Sequence, residues 1–135
     1  MTVRLLVSPE KLTVAWLRAS TDVGALCGDR IGTELYGGST AVVWLTQVTG
    51  EERVRRHLTA HQLDVRSYAP SKGDAETLAL TVHDVLHQMP GVHALGIVND
   101  VRCLTLPTWL PDTTFEPVRA RYIGSYEIAA HPALS

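Results

Sequence analysis

The amino-acid sequence predicts an α+β fold: a mainly antiparallel sheet of four to five strands with two helices packed on one face. Two segments carry apolar residues at the one-face spacing of a helix, and several others have the composition or the alternation of strands. Short loops between consecutive strands favour antiparallel pairing. The predicted order is α-β-β-β-α-β-β. With 135 residues, the chain is expected to form a single domain over residues 1–135.

The first predicted helix begins at Ser8, Pro9 and Glu10 and ends near residue 19. A hydroxyl side chain at the N-cap, a proline at the first helical position and an acid near the positive end of the helix are typical of a helix start. The segment that follows, CGDRIGTELYGGS, is expected to form turns around a short edge strand near residues 30–35.

A β-hairpin is predicted next. Residues 41–48, AVVWLTQV, have the composition of a strand, and residues 57–69 form a second strand in which polar and apolar side chains alternate. The polar segment between them, TGEERVRR, is expected to be the turn that joins two antiparallel strands.

The second helix is predicted over residues 72–88, before a Pro-Gly pair that would end it. The turn that precedes it, PSKGD, has one glycine and an acid where a bound phosphate would lie. We therefore interpret this turn as a helix cap provided by Ser71 and not as a phosphate-binding loop. Two further strands are predicted at residues 95–106 and 117–129, separated by the proline-rich loop LPTWLPDTTFEP.

The composition argues against several classes of function. A net charge of -2 and a pI near 6.3, without a clustered basic segment, do not indicate a nucleic-acid-binding protein. No apolar run approaches the about 18 residues of a membrane span, and the first residues do not read as a signal peptide. Cys27 and Cys103 form no CxxC motif and are expected to be buried thiols in a reducing cytosol. No cofactor is expected.

The segment HDVLH places His83 and His87 at positions i and i+4 of the second helix, the spacing of the zinc-peptidase motif HExxH. Asp84 stands where that motif has a glutamate, and its side chain is one methylene shorter. No third ligand lies at a recognisable spacing. We interpret the segment as a solvated or interface face of the helix and expect neither a metal site nor catalysis. A zinc-dependent hydrolase that uses HDVLH is the alternative from a different class of function.

The first long strand is apolar on both faces. Val42, Trp44 and Val48 lie on one side, and Ala41, Val43 and Leu45 lie on the other. Ile123 likewise interrupts the polar face of the last strand. Because two helices can cover only one face of the sheet, we expect another subunit to cover part of the second face. The alternative is internal, with the long loop folded back across the sheet.

Candidate contacts with other proteins are large apolar groups in polar or loop segments, an acid in the long loop and arginines in the hairpin turn. They are Arg53, Arg55, Arg56, Leu80, Trp109, Asp112, Phe115 and Ile123.

Five segments carry a family resemblance when they are taken in order. They are GDRIGTEL (28–35), VTG (48–50), LDVRSYAPSKGDAETLA (63–79), WLPD (109–112) and RARYIGSYEI (119–128). Together they resemble the small tail terminator proteins of long-tailed, siphovirus-like bacteriophages, especially those that infect actinobacteria. The likeness runs over most of the chain, and none of the segments is a catalytic signature.

The resemblance implies a structural role. Such proteins assemble as a ring, usually a hexamer, on the last ring of the tail tube protein, where they stop tube polymerisation. They also join the tail to the head connector or stopper protein, and DNA would pass through the lumen without sequence-specific binding. The implied location is the head-proximal end of the virion tail, after assembly in the host cytoplasm. A head-to-tail stopper or adaptor ring is the close alternative.

Overall fold

The structure, a computed structural model, describes residues 6–35, 40–55 and 57–132. The helices are α1 (Pro9–Ala19), α2 (Thr21–Cys27) and α3 (Lys72–His87), and the strands are β1 (Ile31–Gly32), β2 (Val42–Val54), β3 (Leu58–Ala69), β4 (Gly91–His93), β5 (Gly96–Trp109) and β6 (Ala120–His131). None of the helices in these ranges is long and apolar enough to cross a membrane.

The strands form one sheet in the order β1-β2-β3-β6-β5-β4. The short edge strand β1 runs parallel to β2, and every other neighbouring pair is antiparallel. The α+β class, the mainly antiparallel sheet and the central hairpin are as predicted. The expected count of four to five strands and two helices is too low, because the described residues form six strands and three helices.

The two elements that sequence patterns missed are both short. Helix α2 has seven residues and contains Gly24, so neither periodicity nor propensity marks it, although Ser20 caps it by accepting a hydrogen bond from the Val23 amide. Strand β4 has three residues and pairs only with the first residues of β5. A strand of that length shows no alternation to detect.

Two strands are longer than predicted. The segment expected to be a turn, residues 49–56, instead continues β2 to Val54, with register shifts near Gln47 and Glu52. Strand β5 likewise continues through Pro107 to Trp109, where a polar or proline-rich loop was expected. A register shift between Thr105 and Thr108 takes Pro107 out of the regular ladder, and this is how a strand accommodates proline.

The helix starts were predicted correctly. Ser8 accepts a hydrogen bond from the Lys11 amide at 3.3 Å, and Ser71 accepts one from the Asp74 amide at 3.2 Å. Both serines therefore satisfy amide groups that the first helical turn leaves without intrahelical partners. The stretch SYAPSKGDAETLA is thus a corner in which a strand ends and a capped helix begins.

The main core lies between the three helices and one face of the sheet. Alternate residues of β2, β3 and β6 point into it, and each helix adds one buried stripe. Among its fully buried members are Leu12, Leu17, Val43, Leu45, Leu63, Leu78, Leu86, Met89, Tyr126 and Ile128.

The second face of the sheet differs from our expectation, because it is largely polar and its polar side chains pair with one another. Arg66 donates a hydrogen bond to the Thr46 hydroxyl at 2.8 Å, and Ser125 donates one to the Asp64 carboxylate at 2.8 Å. The Arg66 guanidinium also covers the half-buried Trp44 ring at 4.6 Å. Polar and charged side chains therefore occupy much of this face, and of the apolar residues expected on it Val42 is buried, Trp44 is half-buried and Val48 is 55% exposed.

At one end of the second face, the loop at residues 110–119 covers Tyr68. We had expected another subunit to cover part of this face. Val42 and Tyr68 lie side by side in the β2–β3 ladder, and both are fully buried in the single chain. Asp112 and Arg119 of the loop contact Tyr68, which agrees with the internal alternative, in which the long loop folds back across this part of the sheet.

Gly50 leaves room for a partly buried polar contact. A Cβ atom at this position would lie 2.8 Å from both Gln47 Nε2 and His61 Nδ1, two atoms that are themselves 2.9 Å apart in a hydrogen bond. We predict that Gly50→Ala separates them and lowers the free energy of unfolding by about 1–2 kcal/mol, measured by chemical denaturation.

The matched control is Gly73→Ala in the first turn of α3, where a Cβ atom would meet nothing within 4 Å. This variant should be neutral or slightly more stable, because alanine is the better helix former. Equal effects of the two variants would contradict the steric account of Gly50.

Candidate protein-contact surface

The long loop joins β5 to β6 and is held by an extension of their ladder. Asp112 and Arg119 form an antiparallel bridge with backbone N–H to O distances of 2.9 and 3.2 Å. Leu110 is tied in the same way to Arg121, whose side chain also donates a hydrogen bond to the Leu110 carbonyl oxygen. Consequently only residues 113–118 extend beyond this ladder, and we call them the tip of the loop.

Asp112 fixes this loop to the sheet. Its carboxylate accepts a hydrogen bond of 2.7 Å from the buried Tyr68 hydroxyl and lies 3.2 Å from an Arg121 nitrogen. The second carboxylate oxygen accepts hydrogen bonds from the backbone and hydroxyl of Thr114 at 3.1 and 2.6 Å. The residue is only 5% exposed. Asp112 was predicted to contact another protein. In the structure these contacts hold the long loop against the sheet of its own chain.

The electrostatics agree with an ionised Asp112. Burial by itself raises the pKa of this carboxyl, but hydrogen bonds from Thr114 and Tyr68 together with the charge of Arg121 outweigh burial and hold the pKa below its usual value. Burial raises the pKa of Tyr68, and the hydrogen bond to Asp112 raises it further, so Tyr68 keeps the proton that it donates.

The aromatic candidates of the long loop pack on their own chain. Trp109 is half-buried, with its ring 5.6 Å from that of Tyr122 and the Lys72 ammonium 4.9 Å from its centroid. Phe115 is also half-buried and lies under the Arg119 guanidinium, at 5.0 Å. Each ring keeps an exposed portion, so a contact with another protein remains a prediction for both residues.

The hairpin arginines lie at the opposite end of the sheet. Arg53 bridges Glu51 and Glu127, each at 2.9 Å, while Arg55 is exposed. Arg56 lies outside the described residues. Because twelve residues of β3 separate the two ends, the hairpin and the long loop are about 40 Å apart. The structure therefore divides the candidates into two groups at the two ends of the sheet.

The remaining candidates lie apart from both groups. Leu80 is 53% exposed on the outer side of α3, as its place on the helical wheel predicted. Ile123 is half-buried on the second face of the sheet, opposite Arg66 on one side and Thr108 on the other. Contacts of either side chain with another protein stay predictions.

Sequence reasoning did not select the exposed leucines of β5, Leu104 and Leu106, which lie close in sequence to the exposed Leu110 at the start of the long loop. Leu104, Leu106 and Leu110 are 40%, 66% and 54% exposed. The signal was available, because residues 103–111 contain no charged side chain.

The HDVLH segment forms a paired-imidazole surface. The rings of His83 and His87 are 4.5 Å apart, and His83 Nδ1 lies 2.8 Å from the Tyr126 hydroxyl. Burial, followed by the proximity of His87, lowers the pKa of His83 and favours its neutral form. Within the ranges that the structure describes, no group of three or more His, Cys, Asp or Glu side chains could hold a metal ion. The zinc-hydrolase alternative therefore gains no support.

Comparison with known proteins establishes the fold. No protein-family model and no curated protein matches the chain. Among solved structures, the chain is similar to one described as "Virion of native gene transfer agent (GTA) particle", with a TM-score of 0.67 and 14% sequence identity. The superposition covers 92% of this chain and 95% of that chain. The two chains therefore share a fold over nearly their whole lengths.

The buried Asp112 contact should make stability depend on pH. A carboxyl with a lowered pKa in the folded state contributes stability at neutral pH, and this contribution is lost as pH falls through that pKa. We predict that Asp112→Asn lowers the free energy of unfolding at pH 7 by about 1–3 kcal/mol, since it removes the charge and leaves partners unsatisfied.

The difference between Asp112→Asn and the unmodified protein should shrink between about pH 5 and pH 2, where the wild-type carboxyl is protonated. Denaturation curves recorded across this range give the comparison, with Asp100→Asn, an exposed position on β5, as the control. A difference that is independent of pH would contradict the ionised contact.

Proposed function

We propose that this chain is a structural protein of a phage-like virion and acts there as a tail terminator. In this proposal it forms a ring, usually a hexamer, on the last ring of the tail tube, stops tube polymerisation and joins the tail to the head connector. It sits at the head-proximal end of the tail, DNA passes through the ring without sequence readout, and no catalysis is involved.

The observation that carries this proposal is the shared fold with a chain from a gene transfer agent virion, which spans 95% of that chain. The ordered likeness of five segments to tail terminators supports the finer role. Neither observation depends on whether the second face of the sheet is apolar.

The sheet also has edges suited to self-association. Strand β1 covers two residues of β2, and β4 covers three residues of β5, so within the described residues both long outer strands keep unpaired edges. β2 and β5 run antiparallel to each other through the sheet, so the two edges of neighbouring copies could meet in antiparallel orientation. This geometry favours a closed homo-oligomer.

Particles that lack the protein provide the test of this role. Loss of a terminator should produce tails that grow far beyond their normal length, because nothing stops the addition of tube rings, whereas loss of a stopper or adaptor should leave free tails of normal length. Electron microscopy of a deletion mutant measures tail length directly. Normal-length free tails would favour the adaptor ring and contradict the terminator.

The exposed leucines offer a sharper test of the contact surface than Trp109, which packs on Tyr122. We predict that Leu106→Asp leaves the stability of the monomer within about 0.5 kcal/mol of the unmodified protein, because the side chain is 66% exposed. The same change should strongly reduce the fraction of tails joined to heads, since it buries a charge in the contact.

Val92→Asp is the matched control, with the same chemical change at a side chain that is 81% exposed on β4, near the other end of the sheet. The two variants are compared by complementation of the deletion mutant and by counting joined particles. Full complementation by Leu106→Asp would remove this surface from the proposal.

A further inference from the structure

A cleft lies beside the tip of the long loop, at the end of the sheet where Tyr68 is covered. It has a volume of about 330 Å³, and its walls are Ala69, Pro70 and residues 115–120. Most of the lining is apolar, and Val118 on its wall is 53% exposed. Of the lining residues, Arg119 is the one base and Glu116 the one acid.

One guanidinium nitrogen of Arg119 has no hydrogen-bond partner. Its charged group lies between the rings of Tyr68 and Phe115, at 4.6 and 5.0 Å from their centroids. Its Nη1 atom is buried and has no hydrogen-bond partner, and no carboxylate of the described residues forms an ion pair with it. The neighbouring Arg121, in contrast, is paired with Asp112.

The buried Nη1 of Arg119 lowers the stability of the free chain, while the rest of the side chain is half-exposed and lines the cleft. The aromatic rings interact favourably with the positive charge, but they do not replace hydrogen-bond acceptors for the N–H groups in the guanidinium plane. A buried donor without an acceptor destabilises the chain that contains it. A carboxylate matches the planar geometry of a guanidinium and could supply two acceptors at once.

The surroundings restrict which anion fits. A single cation next to an exposed Glu116 is unsuited to a polyanion such as nucleic acid, which requires several basic groups along its backbone. The apolar walls instead suit an apolar side chain beside the charged group. Arginine is also one of the residues enriched in the strongest contacts between proteins.

We propose that this cleft is a docking site for a partner protein and that it receives an acidic side chain flanked by an apolar residue, whose carboxylate pairs with Arg119. The inference rests on the proposed function only in that a partner protein docks at this end of the sheet. It adds the chemistry of that contact and identifies Arg119 as the residue that selects it.

Two peptides that differ in one functional group test this inference on the isolated full chain. The probes are N-acetyl-Leu-Asp-Leu-amide and its neutral isostere, N-acetyl-Leu-Asn-Leu-amide, titrated while amide chemical shifts of the cleft residues are followed by NMR. The aspartyl peptide should bind at least about tenfold more tightly, because only it forms a charge-assisted pair with Arg119.

Substitutions then assign the preference to one residue. Arg119→Gln should abolish the preference for the aspartyl peptide, while Arg119→Lys should keep part of it through charge alone. Arg102→Gln is the control, because Arg102 is an exposed arginine paired with Glu127 on the same sheet. It should leave the preference unchanged, and melting curves confirm that each variant is folded.

Equal binding of the two peptides, binding of neither, or a preference that survives in a folded Arg119→Gln variant would overturn the docking site. If Arg119→Gln does not fold, the salt dependence of the unmodified protein decides. A preference for the aspartyl peptide that falls with ionic strength supports the ion pair, and one that is independent of salt refutes it. Because these measurements use isolated protein, their failure leaves the tail-terminator proposal to its own test by microscopy.

Discussion

The contact between Asp112 and Tyr68 is the interaction on which the form of the second sheet face depends. It joins residues 44 positions apart in the chain, on a loop and on a central strand. With it, the loop lies against Tyr68, and Arg119 is held against the Tyr68 ring. Without it, Tyr68 would lose its hydrogen-bond partner, and the long loop would lose the side chain that ties it to the sheet.

This closure changes where association with other molecules is expected. A sheet with an uncovered apolar face would require a broad, face-to-face partner, and our first interpretation assumed one. The structure instead has a largely polar second face with paired charges, while several of its exposed apolar groups, among them Leu104, Leu106 and Leu110, lie on the outer strand β5 and the start of the long loop. Association through edges and loop tips is compatible with a subunit of a ring, in which each copy meets neighbours at its sides and other proteins above and below.

Local signals in the sequence were sufficient to predict much of the fold. The caps at Ser8 and Ser71, the long α3 helix and the β2–β3 hairpin follow from patterns contained within a few residues. Helix α2 and strand β4 were missed because they are too short to show a period. The extension of β2 was missed because its charged residues, suited to an exposed strand, have the composition of a turn.

The candidate site was harder to predict, for a different physical reason. Asp112, Trp109 and Phe115 stand out in the sequence as unusual loop residues, but nothing local indicates whether their partners lie inside or outside the chain. Burial of Asp112 depends on Tyr68 and Arg121, which come from separate strands. The orphaned nitrogen of Arg119 and the cleft beside it arise only once β6, the loop and the end of β3 are assembled.

The irregular outer strand β5 has a consequence for the protein before it meets any partner. Its three register shifts and its proline interrupt the even row of amide and carbonyl groups that a straight strand would offer to any other chain. Such irregularity lowers the tendency of an exposed strand to add an arbitrary second strand. A chain that docks on this edge has to match its bulges as well as its amide and carbonyl groups, so the irregular strand can accept a complementary edge while it disfavours random stacking.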